Sequence, residues 1–247
     1  MSAHVFVVDT AALVAGRVTL TGPEGRHAAT VVRLAVGEPV VLVDGRGRRA
    51  LGTVAGVVGR DVVEVDVRAG DLSDEPSPTP RLVVVQALPK GDRGEVAVET
   101  MTEVGVDVVV PWAASRCVTR WREGRGEKAL ARWRTTSVAA AKQSRRARFP
   151  VVAELASTGE VAALLSSAAC GVLLHEEGAG LLATLVPPPA GDVVLVVGPE
   201  GGLSPQELAT FLDAGATAYR LGPTVLRTST AGTAALAVLL ARTPRWH

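Results

Sequence analysis

Two glycine-rich turns in the last quarter of the chain carry the residues best suited to binding a small ligand. The first turn, residues 198–207, reads Gly-Pro-Glu-Gly-Gly-Leu-Ser-Pro-Gln-Glu and follows the apolar run 193–197. The second turn, residues 221–230, reads Leu-Gly-Pro-Thr-Val-Leu-Arg-Thr-Ser-Thr and precedes a segment rich in alanine and leucine. Since glycine lets the main chain bend tightly and approach a ligand closely, we expect a small-cofactor site built mostly from backbone groups.

The first turn has the pattern of a strand–turn–helix unit, in which backbone N–H groups face a ligand at the carboxyl end of the strand. Ser204 suits the N-cap of the following helix, Pro205 suits its first position, and Glu207 completes a capping box. The turn lacks the Gly-Lys-Ser/Thr ending of a phosphate-binding P-loop, which argues against a nucleoside triphosphate site. On spacing alone, a plain tight turn is an equally good interpretation.

The second turn adds the positive charge of Arg227 to a group of hydroxyl side chains. A guanidinium can hold a phosphate or a carboxylate through two parallel hydrogen bonds. Thr228 or Thr230 could cap the last helix. The alternative interpretation is helix capping beside a surface arginine.

Other kinds of site find little support in the sequence. The histidines His4, His27, His175 and His247 have no metal-ligand spacing, and no Gly-x-Ser-x-Gly elbow is present, so we expect neither a metal site nor a serine hydrolase of that type. Residues 45–50 fit the Gly-x-Gly-x-x-Ala fingerprint of dinucleotide-binding proteins. Because a strand-like rather than a helical segment follows, we interpret them as a basic hairpin loop that could touch an RNA backbone.

The basic residues of the chain are concentrated in one segment. The formal net charge is only +1, but residues 115–149 contain eleven lysines and arginines against Glu123 and Glu127. This local excess of positive charge is typical of a phosphate-binding surface, and the alternative is a solvated helix face. Trp121 and Trp133 lie within the segment and could stack on bases, although packing in the core explains them equally well.

The composition limits the class of protein. Apolar residues make up 47% of the chain and aromatic residues only 3%, so the core must consist of valine, leucine and alanine, which suits buried parallel strands. No apolar run approaches the roughly 20 residues that span a bilayer, and residues 1–9 have no signal-peptide pattern. Cys117 and Cys170 form no motif. We therefore expect a reduced, cytoplasmic setting without a membrane partner.

An acidic, proline-rich stretch divides the chain into two patterned regions. We predict a linker over residues 73–80, an N-terminal domain over 1–72 and a C-terminal domain over 81–247. The N-terminal region predicts a small β-barrel or sandwich, with strands over 4–8, 17–20, 39–43, 50–58 and 61–67 and one helix over 26–34.

The C-terminal region alternates strands with helices. Its predicted strands cover 82–87, 106–110, 151–155, 172–174, 193–197 and 218–221. Its predicted helices cover 95–104, 128–144, 160–168 and 205–214, followed by a terminal helix. This alternation is typical of an α/β domain in which helices cover both faces of a parallel sheet.

With these residues in view, the chain resembles the bacterial family that methylates N3 of a uridine in small-subunit (16S) ribosomal RNA. This family belongs to the SPOUT superfamily, and its cofactor is S-adenosyl-L-methionine. The likeness spans nearly the whole chain and rests on five blocks in order: the N-terminal positions His27, Arg33, 37–38 and 44–47; residues 89–93 with 102–106; Gln143, Ser144 and Pro150; residues 198–202 with Ser204 and Glu207; and residues 221–228.

The chain departs from the family pattern at three places. The family often has a glutamate where this chain has Ser229, and a lysine where it has Thr100. It also often has Glu-Gln-Ser-Gly-Arg where this chain has Lys-Gln-Ser-Arg-Arg at residues 142–146. These differences put in doubt an essential carboxylate at position 229 and an essential amine at position 100, but they leave the two glycine-rich turns intact.

The resemblance implies a C-terminal SPOUT methyltransferase domain with a deep trefoil knot and an N-terminal PUA-like β-barrel domain that binds RNA. It implies a homodimer whose cofactor site lies close to the subunit interface, and a small-subunit RNA or 30S particle as substrate. Two alternatives stay open, namely a SPOUT enzyme acting on another position such as a ribose 2′-hydroxyl, and a non-catalytic RNA-binding assembly factor.

The resemblance also assigns site residues. The expected catalytic residues are Arg227 and Glu200. Arg227 would stabilise charge on the uracil, with the alternative that it positions a phosphate or the cofactor carboxylate. Glu200 is a candidate general base, and a capping or structural role is an equally good interpretation. The expected cofactor contacts are Leu174, Gly198, Glu200, Gly201, Gly202, Leu221, Gly222, Leu226, Arg227 and Thr228. The expected RNA contacts are Arg26, Arg33, Arg46, Arg93, Arg116, Arg145 and Arg146.

Overall fold

Strands with alternating buried residues build a five-stranded sheet in the N-terminal part of the chain. The computed structural model describes residues 3–122 and 124–246. Its first elements are β1 (His4–Val7), β2 (Gly16–Leu20), α1 (Gly22–Arg26), the π-helical residues His27–Val32, β3 (Pro39–Val43), β4 (Arg48–Val58) and β5 (Val62–Asp74). The strand order is β1-β3-β4-β5-β2, in which β1 and β3 are parallel and the other pairs are antiparallel. Val63, Val65 and Val67 on alternate positions of β5 are buried, as the period of two requires.

The helix predicted over residues 26–34 begins earlier than expected and changes type. Helix α1 starts at Gly22 with proline in its first turn, and the π-helical residues end at Val32, followed by the C-cap Arg33 with a left-handed φ of 60°. Glycines at 22 and 25 concealed this start, because glycine lowers helix propensity. Gly25 is required there, since a Cβ atom would collide with the carbonyl oxygens of Asp61 and Leu20.

A short basic segment, residues 141–149, packs with the N-terminal sheet. Phe149 N–H donates to the Gly45 carbonyl at 2.9 Å, and Gly47 N–H donates to the Ala147 carbonyl at 3.1 Å. Lys142 Nζ lies 2.7 and 2.9 Å from the two carboxylate oxygens of Glu24. These contacts fasten the segment to helix α1 and to the hairpin loop that the sequence marked as basic.

The chain accordingly divides into two compact units, Met1–Ser77 with Ala141–Phe149, and Pro78–Ala140 with Pro150–His247. The predicted domains 1–72 and 81–247 differ from these units in two respects. Strand β5 continues to Asp74, into the predicted linker, and the segment 141–149 belongs with the first unit. A helical sequence pattern that runs through residue 143 gives no sign of such a division.

A seven-stranded parallel sheet forms the centre of the second unit. Its elements are β6 (Arg81–Ala87), α2 (Arg93–Val104), β7 (Val108–Trp112), α3 (Arg125–Gln143), β8 (Val151–Val152), α4 (Thr158–Ser167), β9 (Cys170–Leu174), β10 (Gly180–Leu181), β11 (Asp192–Val197), α5 (Pro205–Asp213), β12 (Ala216–Arg220) and α6 (Thr228–Leu240). The strand order is β10-β12-β9-β11-β6-β7-β8, with every pair parallel. This confirms the α/β class predicted from the apolar runs. The trefoil knot implied by the resemblance stays a prediction.

Most predicted elements of this unit are present, with shifted ends. Strand β7 begins two residues later than predicted, β8 has only two residues, and β10 was missed. Asp107 explains the late start of β7, because its buried carboxylate accepts the Leu82 N–H at 2.8 Å instead of continuing an apolar strand. A two-residue strand such as β10 is too short to show a period in the sequence.

One arginine fastens the end of the chain to the amino-terminal edge of this sheet. Arg245 donates to both carboxylate oxygens of Asp107, at 2.6 and 3.0 Å, and to the carbonyls of Pro80 and Gly105. The Asp107 side chain is only 5% exposed, so the ion pair is shielded from water. The contact fixes the chain just after α6, whose other end carries residues of the site described below.

Replacing Gly94 by alanine should destabilise the second unit by about 1–3 kcal/mol, the usual cost of overpacking a core. A Cβ atom at Gly94, the second residue of α2, would lie 2.6–2.8 Å from three ring atoms of the buried Trp133. Gly159 is a matched control, because it is also the second residue of a helix and a Cβ atom there meets nothing within 4 Å.

We expect Gly159→Ala to be neutral or stabilising, because alanine restricts the unfolded chain. Urea unfolding of both variants measures the difference. Equal effects of the two substitutions would contradict the close packing of Gly94 on Trp133.

Candidate active site

A cavity of about 700 Å³ opens at the carboxyl ends of three neighbouring strands, β12, β9 and β11. Its walls are residues 174–176 after β9, residues 197–203 after β11 and residues 219–228 after β12, together with Arg116 and Ala231. Parallel strands end on the same edge of a sheet, so the loops that follow them converge there. The volume lies within the range of sites for cofactors and other small molecules.

The structure brings together all the residues that the sequence assigned to the cofactor. Those that line this cavity are Leu174, Gly198, Glu200, Gly201, Gly202, Leu221, Gly222, Leu226, Arg227 and Thr228. They come from three separate parts of the chain, and the glycines of the last two parts are the signal that predicted them. Their contact with a cofactor stays a prediction.

The first turn has the capping box that the sequence predicted. The Ser204 hydroxyl accepts the Glu207 N–H at 3.2 Å, and the Glu207 carboxylate accepts the Ser204 N–H at 2.9 Å. Gly202 has a φ of 68°, a left-handed conformation that favours glycine, and its N–H donates to the Pro199 carbonyl. The turn is therefore fixed both at its bend and at the start of α5.

Glu207 also fastens the turn to a distant segment, a contact that no sequence pattern predicts. Its carboxylate accepts the Ser115 N–H at 2.7 Å and the Ser115 hydroxyl at 2.9 Å. Glu207 is 3% exposed. Burial by itself raises the pKa of Glu207, but the hydrogen bonds from Ser115 and Ser204 outweigh it, so the pKa is lowered from its ordinary value.

Arg116, expected to contact RNA, lies instead against the glycine-rich turn. Its Nη1 atom donates to the carbonyls of Gly201 at 3.2 Å and Leu203 at 3.0 Å. A Cβ atom at Gly201 would lie 3.3 Å from the Arg116 Cβ, so glycine permits this close approach. Arg116 thus supports the cavity wall, and its contact with RNA stays a prediction.

Glu200 has a structural partner within the same unit. Its carboxylate accepts the Lys90 N–H at 3.2 Å, which connects the first turn to the loop before α2. The side chain is nevertheless exposed at the cavity. A supporting role is therefore established by geometry, whereas the role of general base stays a prediction.

The second turn presents Arg227 at the start of α6. The Arg227 carbonyl accepts the N–H groups of Thr230 and Ala231, each at 2.9 Å. Its side chain is exposed at the cavity, and in residues 3–122 and 124–246 no hydrogen bond or ion pair engages the guanidinium. The predicted capping by Thr228 or Thr230 is wrong, because Arg227 occupies the N-cap position and no side chain caps the helix.

Among the other residues that line the cavity are His175 and Tyr219, which no sequence pattern placed at this site. His175 N–H donates to the Tyr219 carbonyl at 3.0 Å, and His175 Nδ1 accepts the Glu177 N–H at 3.1 Å. Because Nδ1 must accept, a neutral His175 carries its proton on Nε2. The imidazole is therefore held in one tautomer.

The other arginines expected to contact RNA are distributed over both units. Arg26, Arg33, Arg46 and Arg145 are exposed in the first unit, and Arg146 there donates to the Arg148 carbonyl at 2.9 Å. Arg93 is exposed at the first residue of α2 in the second unit. Their contacts with RNA stay predictions.

The remaining residues of interest pack inside the second unit. Ser229 is 5% exposed, and the Thr100 hydroxyl shares a hydrogen bond of 2.6 Å with Thr233. Trp133 is 3% exposed and meets Trp121 edge to face, which favours core packing over base stacking for Trp133. Glu123 and His247, which entered the sequence argument, lie outside the described residues.

The described residues contain neither a metal-binding cluster nor a membrane-spanning helix. Across residues 3–122 and 124–246, no group of three or more histidine, cysteine, aspartate or glutamate side chains is arranged to hold a metal ion. No helix in this part of the chain has the length and apolar character needed to cross a membrane.

Comparison with known proteins gives the family. Residues 75–240 match the RNA methyltransferase domain, and residues 20–67 match the RNA methyltransferase PUA domain. The chain is 44% identical over 250 residues to Ribosomal RNA small subunit methyltransferase E of Mycobacterium tuberculosis. The match covers 100% of this chain and 94% of that relative.

Two solved structures are similar over nearly their whole length. Ribosomal RNA small subunit methyltransferase E from Neisseria gonorrhoeae, bound to S-adenosyl methionine, has a TM-score of 0.84 and 27% identity, and the match covers 97% of this chain and 98% of that one. A methyltransferase from Legionella pneumophila, solved with S-adenosyl methionine, has a TM-score of 0.85 and 25% identity, with 98% and 99% covered. The chain therefore belongs to the RNA methyltransferase family, with a PUA domain in its N-terminal part.

Proposed function

We propose that this protein transfers the methyl group of S-adenosyl-L-methionine to N3 of a uridine in small-subunit (16S) ribosomal RNA. The observation that carries the proposal is the single cavity formed by both glycine-rich turns at the ends of β11 and β12. The small-subunit methyltransferases among the relatives supply the substrate class, and the neighbours solved with S-adenosyl methionine supply the cofactor.

The residues of the cavity fit this cofactor. Its volume of about 700 Å³ lies within the range of sites that hold small-molecule ligands and cofactors. A Cβ atom at Gly202 or Gly222 would meet nothing within 4 Å, so open space lies beside the main chain of both turns. Leu174, Leu221 and Leu226 add apolar wall for an adenine ring.

Bound there, the cofactor would supply an electrophilic methyl group on a positively charged sulfur. In the transfer a bond forms between N3 and the methyl carbon, the carbon–sulfur bond breaks, and sulfur leaves as a neutral thioether. The N3 proton must pass to an acceptor. The groups along the cavity that could accept it are the carboxylates of Glu176 and Glu200.

Arg227 is the residue that we assign to the charge formed during this step. Loss of the N3 proton places negative charge on the uracil ring and its oxygens, and a guanidinium in the cavity would stabilise it. The exposed Arg227 side chain, which no described group engages, is available for this contact. The uridine must be unpaired to react, because N3 is hidden in a base pair.

The assembly and the setting are also part of the proposal. We propose a homodimer in the cytoplasm that acts on small-subunit RNA or on a 30S particle. In the single chain Val225 is 81% exposed and Leu226 is 39% exposed, at the edge of the cavity. Exposed apolar side chains of this size are expected where a second copy covers them.

A methylation assay with product analysis tests the function. Calorimetry should show that the purified protein binds S-adenosylmethionine, and incubation with small-subunit RNA or 30S particles should place one methyl group on a uridine. Because N3 methylation blocks the pairing edge, reverse transcription should stop at one position. Nucleoside mass spectrometry should identify 3-methyluridine.

Other outcomes distinguish the alternatives. A ribose 2′-O-methyl product would contradict the N3 assignment and favour another SPOUT activity. An absence of heat at every cofactor concentration would favour a non-catalytic RNA-binding protein. Running naked RNA and 30S particles in parallel identifies the true substrate.

A further inference from the structure

We propose that the target RNA strand lies on a cationic rim beside the cavity. The rim consists of Lys90, Arg93, Arg116, Arg120 and Arg122. The inference rests on the proposed function, because it assigns the surface that guides the substrate of that same site. It assigns the RNA-binding surface to named residues beside the cavity, whereas the sequence predicted only contacts at Arg93 and Arg116 and a general phosphate-binding character for residues 115–149.

The rim is fastened to the first glycine-rich turn from two directions. Glu200 of the turn accepts the Lys90 N–H at 3.2 Å, and Arg116 donates to the Gly201 carbonyl at 3.2 Å. Between these two anchors, the Thr119 hydroxyl donates to the Pro89 carbonyl at 2.8 Å. The loop before α2 and the segment 115–122 therefore form one continuous border of the cavity.

The buried Glu207 holds the base of this border. Its carboxylate accepts both the N–H and the hydroxyl of Ser115, directly before Arg116. The Ser115 carbonyl in turn accepts an N–H from Arg120 at 3.2 Å. The backbone that carries the rim is thus fixed by its own unit, which lets its cations act as a preformed surface.

The cations of the rim are exposed. In the described part of the chain the side chains of Arg93 and Arg122 make no hydrogen bond, whereas those of Arg116 and Arg120 also donate to backbone carbonyls. Within residues 3–122 and 124–246, no carboxylate lies within ion-pair distance of Arg93, Arg120 or Arg122.

The acidic side chains close to the rim include Glu95, Glu200 and Glu207. Glu95 pairs with Arg132, Glu200 accepts the Lys90 N–H, and Glu207 is buried on Ser115 and Ser204. Arginines that no carboxylate neutralises favour a polyanion, since each phosphate contact releases a counterion.

The position beside the cavity favours single-stranded RNA as the occupant. Arg116 lines the cavity itself, so a strand on the rim would pass the mouth of the site with its backbone on the arginines. Its uridine could then turn into the space beside the glycine-rich turns, as enzymes that modify bases require. The neighbouring half-buried Trp121 packs on Trp133, so the rim acts through charge and not through stacking.

The test removes charge from the rim at two positions outside the cavity. The full-length double variant Arg120→Gln with Arg122→Gln is compared with wild type in binding a uridine-containing 20-nucleotide single strand, at several salt concentrations. For single strands, the slope of log affinity against log salt concentration is about −0.7 per phosphate contact. Loss of two contacts should therefore make this slope shallower by about 1.4. Affinity at about 0.1 M salt should fall by about 25-fold, which the same relation gives for two contacts.

Matched variants separate charge from structure. Arg120→Lys with Arg122→Lys keeps the charges and should keep the wild-type salt slope. Arg60→Gln with Arg242→Gln removes two exposed arginines elsewhere and should leave both slope and affinity near wild type. Cofactor affinity by calorimetry should stay within about twofold of wild type in all three variants.

Two results would contradict the proposal that the rim binds RNA. One is a wild-type salt slope in the double glutamine variant, and the other is an equal loss in the Arg60/Arg242 control. Binding is measured separately from catalysis, so methylation of N3 by wild type together with either result would reject the rim and keep the proposed function. A lack of methylation with a reduced slope would reject the function and keep an RNA-binding rim.

Discussion

Replacing Arg227 by alanine should lower the rate of methyl transfer by about 10²–10³-fold, the usual effect of removing one preorganised donor to a charge that develops in the transition state. The effect should fall on kcat, because the negative charge on uracil exists only after the N3 proton has begun to leave. The Arg227 side chain lines the cavity and is exposed, so the substitution leaves little packing to disturb.

Single-turnover rates at saturating RNA and cofactor measure this effect directly. Arg227→Lys should recover part of the rate, because lysine keeps the charge but loses the planar pair of donors. Arg242→Ala is the matched control, since that exposed arginine follows the far end of α6, about 20 Å from its start by the rise of a helix. The control should show wild-type rates.

The alternative roles of Arg227 predict different patterns. If it positions an RNA phosphate, KM for RNA rises while kcat stays constant. If it holds the cofactor carboxylate, the calorimetric Kd for S-adenosylmethionine rises by a similar factor. An unchanged rate with unchanged binding would remove Arg227 from the chemistry altogether.

The parts of this site that the sequence predicted are those with local signals. Glycines at 198, 201 and 202 after an apolar strand, and the Ser204–Glu207 box, are encoded within ten residues. The parallel sheet follows from apolar runs in the same way. Such features need only a short window, because strand, turn and cap are each decided by neighbouring residues.

The parts that the sequence missed depend on contacts between distant residues. Arg116 reaches Gly201 across 85 positions, and Ser115 reaches Glu207 across 92. The same limit hid the packing of residues 141–149 with the N-terminal sheet, since helix α3 shows an unbroken period up to Gln143. The basic composition of residues 115–149 indicated Arg116 as a candidate phosphate contact, but only the fold shows that it supports the first glycine-rich turn.

Glu207 shows how much one such long-range contact contributes to the free energy of unfolding. Replacing it by alanine should destabilise the protein by about 1–3 kcal/mol, the range seen when hydrogen-bond donors lose their acceptor. Ser115 and Ser204 would lose their shared acceptor, so the first turn and the segment that carries the rim should loosen together. Cofactor affinity should fall by about tenfold or more, in addition to the loss of stability.

A second capping box in the same unit provides the control. Glu160 caps α4 with Ser157 in the same pattern, but its side chain is exposed and reaches no distant segment. Glu160→Ala should therefore cause a clearly smaller loss of stability in urea unfolding and leave the Kd for S-adenosylmethionine unchanged. Equal losses in the two variants would show that Glu207 acts only as a helix cap.

The pH dependence of stability tests the charge of Glu207 itself. Its pKa is lowered in the folded protein, because the hydrogen bonds from Ser115 and Ser204 outweigh the effect of burial. The unfolded state therefore binds the proton first, so the stability from this carboxylate is complete above its ordinary pKa of about 4.5 and is lost as pH falls through the lower folded value. Glu207→Gln removes the titrating group and should flatten this acid limb of the unfolding free energy relative to wild type. If the unfolding free energies of wild type and Glu207→Gln fall in parallel at acid pH, Glu207 is not held as a carboxylate in the folded state. Its ionised side chain would then not be what anchors the glycine-rich turn.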